Sequence, residues 1–153
     1  MFSIRELAAS TGGRLLRAGE GTPSGCAVDS RRVTAGDVFF ALPGARTDGH
    51  AFLDDAFRRG AVAAVVLSSK PLPASARNVI VVGDVLAALH AAARAWRARF
   101  RIPLVAITGS NGKTTTRNLL AHLLGGSFQV SGRQYCRELP WLYGQLLIRV
   151  SAR

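Results

Sequence analysis

Residues Ile107 to Thr116 read I-T-G-S-N-G-K-T-T-T and follow directly on the apolar run Pro103-Leu104-Val105-Ala106. A strand that ends in a glycine-bounded turn and hands over to Lys-Thr at a helix start admits few folds. It asks for a helix packed back over its own strand, the repeating unit of an α/β protein. The same arrangement points successive backbone amides and the positive end of a helix at one place, where phosphate oxygens are well held. On this reading Gly109, Ser110, Asn111, Gly112, Lys113, Thr114 and Thr115 cradle the phosphates of ATP. Lys113 reaches the β- and γ-phosphates and supplies the catalytic charge, and the Thr114 hydroxyl is the ligand for Mg²⁺. The spacing departs from the common G-x-x-x-x-G-K-[ST], because Ile107 stands where the first glycine belongs. A turn that merely joins a strand to a helix is the plainer alternative. The strand before, Lys-Thr after and the helix-compatible Asn118-Leu119-Leu120-Ala121 beyond favour nucleotide.

Upstream, the pattern alternates in the same way. Ser3 is placed to cap a helix carrying Ile4, Leu7 and Ala8, which Gly12-Gly13 ends. Gly19 to Gly25 is a loop by its turn residues, and Cys26 to Ser30 and Asp37 to Leu42 read as short strands. His50 to Arg59 has Phe52, Leu53, Ala56 and Phe57 on one helical face, with Gly60 as its stop. Val62 to Leu67 and Asn78 to Val82 are buried-type strands, separated by a loop with Pro71 and Pro73. Asp84 caps a long helix with Val85, Leu89, Ala92, Trp96 and Phe100 at helical spacing. An α/β protein with a largely parallel sheet is therefore expected. A break at Arg101-Ile102-Pro103 separates this first unit from the strand, loop and helix that open a second.

Charge narrows the choice of partner only a little. Residues 1–84 carry ten basic and eight acidic side chains, whereas residues 85–153 carry ten basic against Glu138 alone. Of the 20 basic residues all but Lys70 and Lys113 are arginine. No aromatic residues interleave with a basic surface, so a nucleic-acid partner is disfavoured and a phosphorylated small molecule fits the charge better. Cys26 and Cys136 lack the paired spacing of a zinc site or a disulfide framework, and read as free thiols. The N-terminus has no basic-then-apolar signal pattern. The longest apolar stretch, residues 61–67, falls far short of the roughly 20 residues of a membrane span. A cytoplasmic protein is expected.

The variant loop T-G-S-N-G-K-T-T-T resembles the ATP-binding loop of the Mur ligases. These enzymes add amino acids to the UDP-muramoyl precursor of peptidoglycan. Upstream motifs stand in that family's order: Asp29-Ser30-Arg31-Arg32-Val33, Gly36-Asp37-Val38-Phe39-Phe40-Ala41-Leu42, Gly44, Asp48-Gly49-His50 with Phe52, and Gly60-Ala61. Ser110 and the segment Val81-Val82-Gly83-Asp84 are most similar to the MurF type, which adds D-alanyl-D-alanine to UDP-N-acetylmuramoyl-tripeptide. The MurE type, which adds a diamino acid, is the nearest rival. The resemblance implies a UDP-substrate domain over 1–83, a connecting helix over 84–102 and the start of a P-loop, Rossmann-like ATPase domain over 103–130. It also implies that Ser30, Arg31, Asp48, Gly49 and His50 contact the UDP-N-acetylmuramoyl peptide. The plainer alternative is that Asp29 and Asp48 merely cap turns and that His50 simply starts its helix.

Past Val130 the resemblance stops, and residues 131–153 match nothing in the family pattern. The expectation is a truncated fragment with an out-of-frame tail from a frameshift or early stop near 131–133. Such a fragment would be inactive as a complete ligase. A stand-alone UDP-sugar-binding module is the reading from a different functional class.

Overall fold

The computed structural model describes residues 2–17, 19–44, 47–101, 104–133 and 146–152. They fall into two compact units, Met1–Arg99 and Phe100–Arg153.

The first unit opens with helix α1 (Ile4–Thr11). Its start is a capping box: the Ser3 hydroxyl accepts from the Glu6 amide at 3.2 Å, and the Ser3 amide donates to the Glu6 carboxylate at 2.7 Å. Gly12 ends the helix at φ 64°, the left-handed conformation in which glycine has no Cβ to strain. Strand β1 (Arg14–Arg17) follows, then β2 (Gly25–Ala27), β3 (Asp37–Phe40), a 3₁₀ turn into α2 (Leu53–Arg58), β4 (Ala63–Leu67), β5 (Val79–Val82) and α3 (Val85–Ala98). The sheet order is β1-β5-β4-β3-β2. Strands β2 to β5 run parallel, and β1 closes one edge antiparallel to β5. Both faces of the central strands are covered, so Phe39, Phe40, Val65, Val66, Val79 and Ile80 are almost wholly buried. That is why these strands read as unbroken apolar runs rather than alternating ones.

One strand was not expected, and two local expectations are revised. Residues 14–17 are a strand, although the adjacent leucines of Arg14-Leu15-Leu16-Arg17 show no alternation; pairing with β5 decides it. The strand expected over Cys26 to Ser30 spans only Gly25–Ala27. The Asp29 carboxylate accepts from the Arg31 amide and turns the chain into a 3₁₀ turn at Ser30–Arg32. The helix expected from His50 begins as a second 3₁₀ turn, Gly49–Phe52, because Asp48 accepts from the His50 amide in the same way. At the opposite end of the strands, Asn78 is fully buried and joins three loops. Its amide donates to Val62 and Glu20 carbonyls, and its oxygen accepts from the Gly19 amide.

The second unit contains β6 (Leu104–Ile107), α4 (Lys113–Gly125), β7 (Phe128–Arg133) and β8 (Leu146–Ala152). Its sheet has the order β6-β8-β7 with both pairings antiparallel. Leu146, Leu147 and Ile148 lie in β8. Trp141, Tyr143 and Cys136 lie outside the described residues.

Candidate functional site

In the parallel part of the first sheet, the C-terminal ends of β2, β3, β4 and β5 share one edge. The segments leaving that edge carry every first-unit candidate: Asp29 to Arg31 after β2, and Asp48 to His50 after β3. Open α/β sheets take their ligands at this edge, where loops diverge and backbone groups are not consumed by the ladder.

After β2, Asp29 and Arg31 form a closed fork. Arg31 Nε donates to Asp29 Oδ1 at 3.0 Å and a terminal guanidinium nitrogen donates to Oδ2 at 2.7 Å. The Arg31 side chain hydrogen bonds hold the Asp29 carboxyl below its usual range, against a smaller desolvation effect. The guanidinium itself remains largely in solvent, so it is aimed but accessible. Ser30 is different. It is 5% exposed, and its side chain hydrogen-bonds Asp55 of α2, the leading cause of a lowered Asp55 pKa. Arg59 donates to the same carboxylate at 3.1 Å and to the Arg31 carbonyl at 3.4 Å. Ser30 thus fastens the turn to α2, and Arg31 is the group of the pair that faces outward.

After β3, Gly49 lies against backbone. A Cβ there would stand 2.8 Å from both the nitrogen and the oxygen of Leu42, closer than any side chain tolerates. Asp48 accepts from the His50 amide at 3.0 Å, from His50 Nδ1 at 2.5 Å, and from Lys70 Nζ at 2.7 Å. Lys70 is the leading cause of its pKa lying far below the usual carboxylate range. His50 Nε2 accepts from the Leu67 amide at the end of β4, 2.9 Å away. Lys70 and Asp55 were not among the sequence candidates. One signal was available for Lys70, as one of only two lysines among 20 basic residues. Asp55 offered none, since its partner Ser30 comes from another turn.

In the second unit, β6 delivers Thr108 to a loop in which Gly109 (φ 148°) and Gly112 (φ 77°) both hold positive φ. Gly112 is the N-cap of α4 and supplies no side chain to the free amides of the first turn. The Lys113 ammonium bends back onto the Gly109 carbonyl and, at 3.3 Å, the Ser110 carbonyl. Ser110, Asn111, Thr114 and Thr115 are exposed. Among the described residues no three His, Cys, Asp or Glu side chains gather to hold a metal. Mg²⁺ bound with a nucleotide keeps its waters and phosphate oxygens and needs only one or two protein oxygens, so the Thr114 hydroxyl fits it.

An open cleft of about 320 Å³ is lined by Ile4, Arg5, Leu15, Gly19, Glu20 and Asn78. It lies at the N-terminal end of β5, away from the edge that carries the candidate residues, and its Asn78 is already satisfied. No described helix is long and apolar enough to cross a membrane.

A parallel sheet with paired turns at its C-terminal edge, followed by a strand–glycine loop–Lys-Thr helix, defines a class. Residues 23–97 match the model of the Mur ligase family, catalytic domain. This chain belongs to the Mur ligase family. Among curated relatives it is 42% identical over 115 residues to UDP-N-acetylmuramoyl-tripeptide–D-alanyl-D-alanine ligase of Synechocystis, covering 72% of this chain and 25% of that one. It is also 45% identical over 106 residues to UDP-N-acetylmuramoyl-L-alanyl-D-glutamate–2,6-diaminopimelate ligase of Solibacter usitatus, covering 66% and 21%. Among solved structures, MurF from Acinetobacter baumannii superposes with a TM-score of 0.67 at 30% identity, over 82% of this chain and 28% of that one. MurF from Thermotoga maritima in complex with ADP gives 0.55 at 36% identity, over 66% and 23%. The chain thus spans about a quarter of the length of the relatives it matches.

Proposed function

We propose that the chain is the UDP-substrate unit and phosphate loop of a MurF-type ligase. In that reaction the γ-phosphate of ATP passes to the terminal carboxylate of UDP-N-acetylmuramoyl-tripeptide. The amine of D-alanyl-D-alanine attacks the resulting acyl phosphate, and phosphate leaves as the amide forms. The observation that carries the reading is the pairing, on one chain, of a parallel-sheet edge bearing Asp29-Ser30-Arg31 and Asp48-Gly49-His50 with the loop in which two positive-φ glycines, Gly109 and Gly112, lead into Lys113. The exposed Arg31 guanidinium, squared up by Asp29, is shaped for two oxygens of a uracil or diphosphate. Gly49 brings the second turn hard against the sheet edge, so the groups after it are held to the backbone rather than to a loose loop. In the second unit the amides of Gly109 to Thr115 and the Lys113 ammonium bind and orient the ATP phosphates. Thr114 would help hold Mg²⁺, which would supply further neutralisation of phosphate charge. A cytoplasmic location follows from those substrates.

Titration calorimetry of the full chain tests this with two ligands given separately. UDP-N-acetylmuramoyl-tripeptide and ATP should each bind, and Lys113→Met should remove the second without altering the first. Absence of binding by the UDP compound sinks the reading. Binding of that compound without ATP leaves a UDP-sugar-binding module instead. A second reading, the MurE type, has the 45% identity to the Solibacter usitatus enzyme in its support. It predicts tighter binding of the UDP-muramoyl dipeptide named for that enzyme than of the tripeptide.

A further inference from the structure

We propose that Lys70 binds the diphosphate of the nucleotide substrate, and that His50 and Asp48 are positioning residues that aim it. The proposal rests on the reading of this sheet edge as the UDP-substrate site.

His50 has nothing left to offer a ligand. Its imidazole is 5% exposed, and both ring nitrogens are engaged. The Leu67 amide can only donate, so Nε2 accepts and carries no proton; the proton then sits on Nδ1 and is donated to Asp48. That tautomer is assigned from its partners, which leave only one consistent choice. The ring is a strut between the 3₁₀ turn and the last residue of β4.

Asp48 is equally committed. One carboxylate oxygen accepts both the His50 amide and Nδ1, and the other accepts Lys70 at 2.7 Å. With one oxygen fixed by two donors, the other is fixed in direction, and it sets the position of the ammonium.

Lys70 is what this arrangement presents. It leaves β4 three residues after Leu67, and its side chain is 39% exposed. An ammonium has three donors, and Asp48 takes one. Among the described residues no other partner is seen for the rest. A compact ammonium is a point charge suited to phosphate oxygens. The neighbouring carboxylate does not cancel it. A bound oxyanion sits one hydrogen bond from Nζ and about twice as far from Asp48, and attraction falls with distance. The site also lies beside the C-terminal ends of β3 and β4, adjacent strands in the middle of the sheet, where the ligand of an open α/β sheet is placed.

The test compares UDP with uridine, which shares the base and ribose but has no phosphate, by calorimetry on the full chain. Circular dichroism melts check that each variant folds. The wild type should prefer UDP. Lys70→Met should weaken UDP binding about tenfold, the size of one charged hydrogen bond, and leave uridine unchanged. Lys70→Arg should restore most of the loss. His50→Asn should lower the ratio of UDP to uridine affinity, and should lower it no further in the Lys70→Met background, since its effect passes through Lys70. The proposal is overturned if Lys70→Met keeps UDP affinity within about twofold while the wild type still prefers UDP. It is also overturned if UDP and uridine weaken together, which marks a structural ion pair. A wild type that binds neither ligand removes the substrate-edge reading itself, and the role of Lys70 with it.

Discussion

The two units hold their candidate residues by different means. In the first, a buried parallel sheet sets where the turns begin, and each turn is then locked by a carboxylate: Asp29 on Arg31, Asp48 on His50 and Lys70, Asp55 on Ser30 and Arg59. In the second, α4 has no buried residue and exposes Leu119 and Leu123 at 59% and 65%. Its loop is held by local backbone, through two positive-φ glycines and Lys113 folded onto neighbouring carbonyls. Preorganisation in the first unit is inherited from tertiary packing; in the second it is written into the loop.

The sharpest way to break this contrast is to cut side chains of similar kind in each unit. Phe39→Ala, at a site 1% exposed, should cost about 3–5 kcal/mol through lost burial and the cavity left behind. Leu123→Ala should stay within about 0.5 kcal/mol, since the site is already in water. Urea unfolding followed by circular dichroism measures both, and equal losses would erase the contrast.

A second pair separates crowding from backbone conformation. Gly49→Ala drives a Cβ into the Leu42 backbone and should cost about 1–3 kcal/mol in the melting of the first unit. At Gly112 there is open space but φ is 77°, so Gly112→Ala should cost only about 1 kcal/mol. Its main effect should be weaker ATP binding, with the first unit melting unchanged. If Gly112→Ala moves the first transition as much as Gly49→Ala does, the loop is not locally determined.

The smallest effect is on pH dependence. Asp29, Asp48 and Asp55 all have folded pKa values below their ordinary ones. The folded protein therefore binds fewer protons than the unfolded chain in acid. Their stabilisation is complete above the unfolded carboxylate range and is lost as pH falls below about 5. Asp48→Asn should flatten this acid slope and leave the shape of the curve above pH 6 unchanged. Thermal melts from pH 3 to 8 that show an unaltered slope would remove Asp48 from the set.

The ease of reading differed in the same way between kinds of feature. Ser3 before Ile4, Asp84 before Val85, Gly60 after the second helix and the apolar runs of β3 to β5 were legible, because caps and buried strands depend on near neighbours in the chain. The turn from β6 into α4 was legible for the same reason: glycine at φ 77° and Lys-Thr after it lie within a few residues. Strand β1 was not, since only β5 makes Arg14 to Arg17 extended. Nor was the division of labour at the sheet edge. Ser30, Arg31 and His50 were read alike as substrate contacts. In the fold Ser30 meets Asp55, 25 positions on, and His50 meets the Leu67 amide, 17 positions on.

Local chemistry along the chain was enough to specify an α/β succession, its caps and the glycine turn that leads into Lys113, since each of those needs only residues within about one turn of each other. Folding decided which polar groups still have a hydrogen bond to give. His50 and Ser30 spend theirs across the fold, while Arg31 and Lys70 are held in place with charge to spare. A side chain's availability depends on every partner within about 3 Å, and those partners come from strands and turns that only the folded sheet brings side by side.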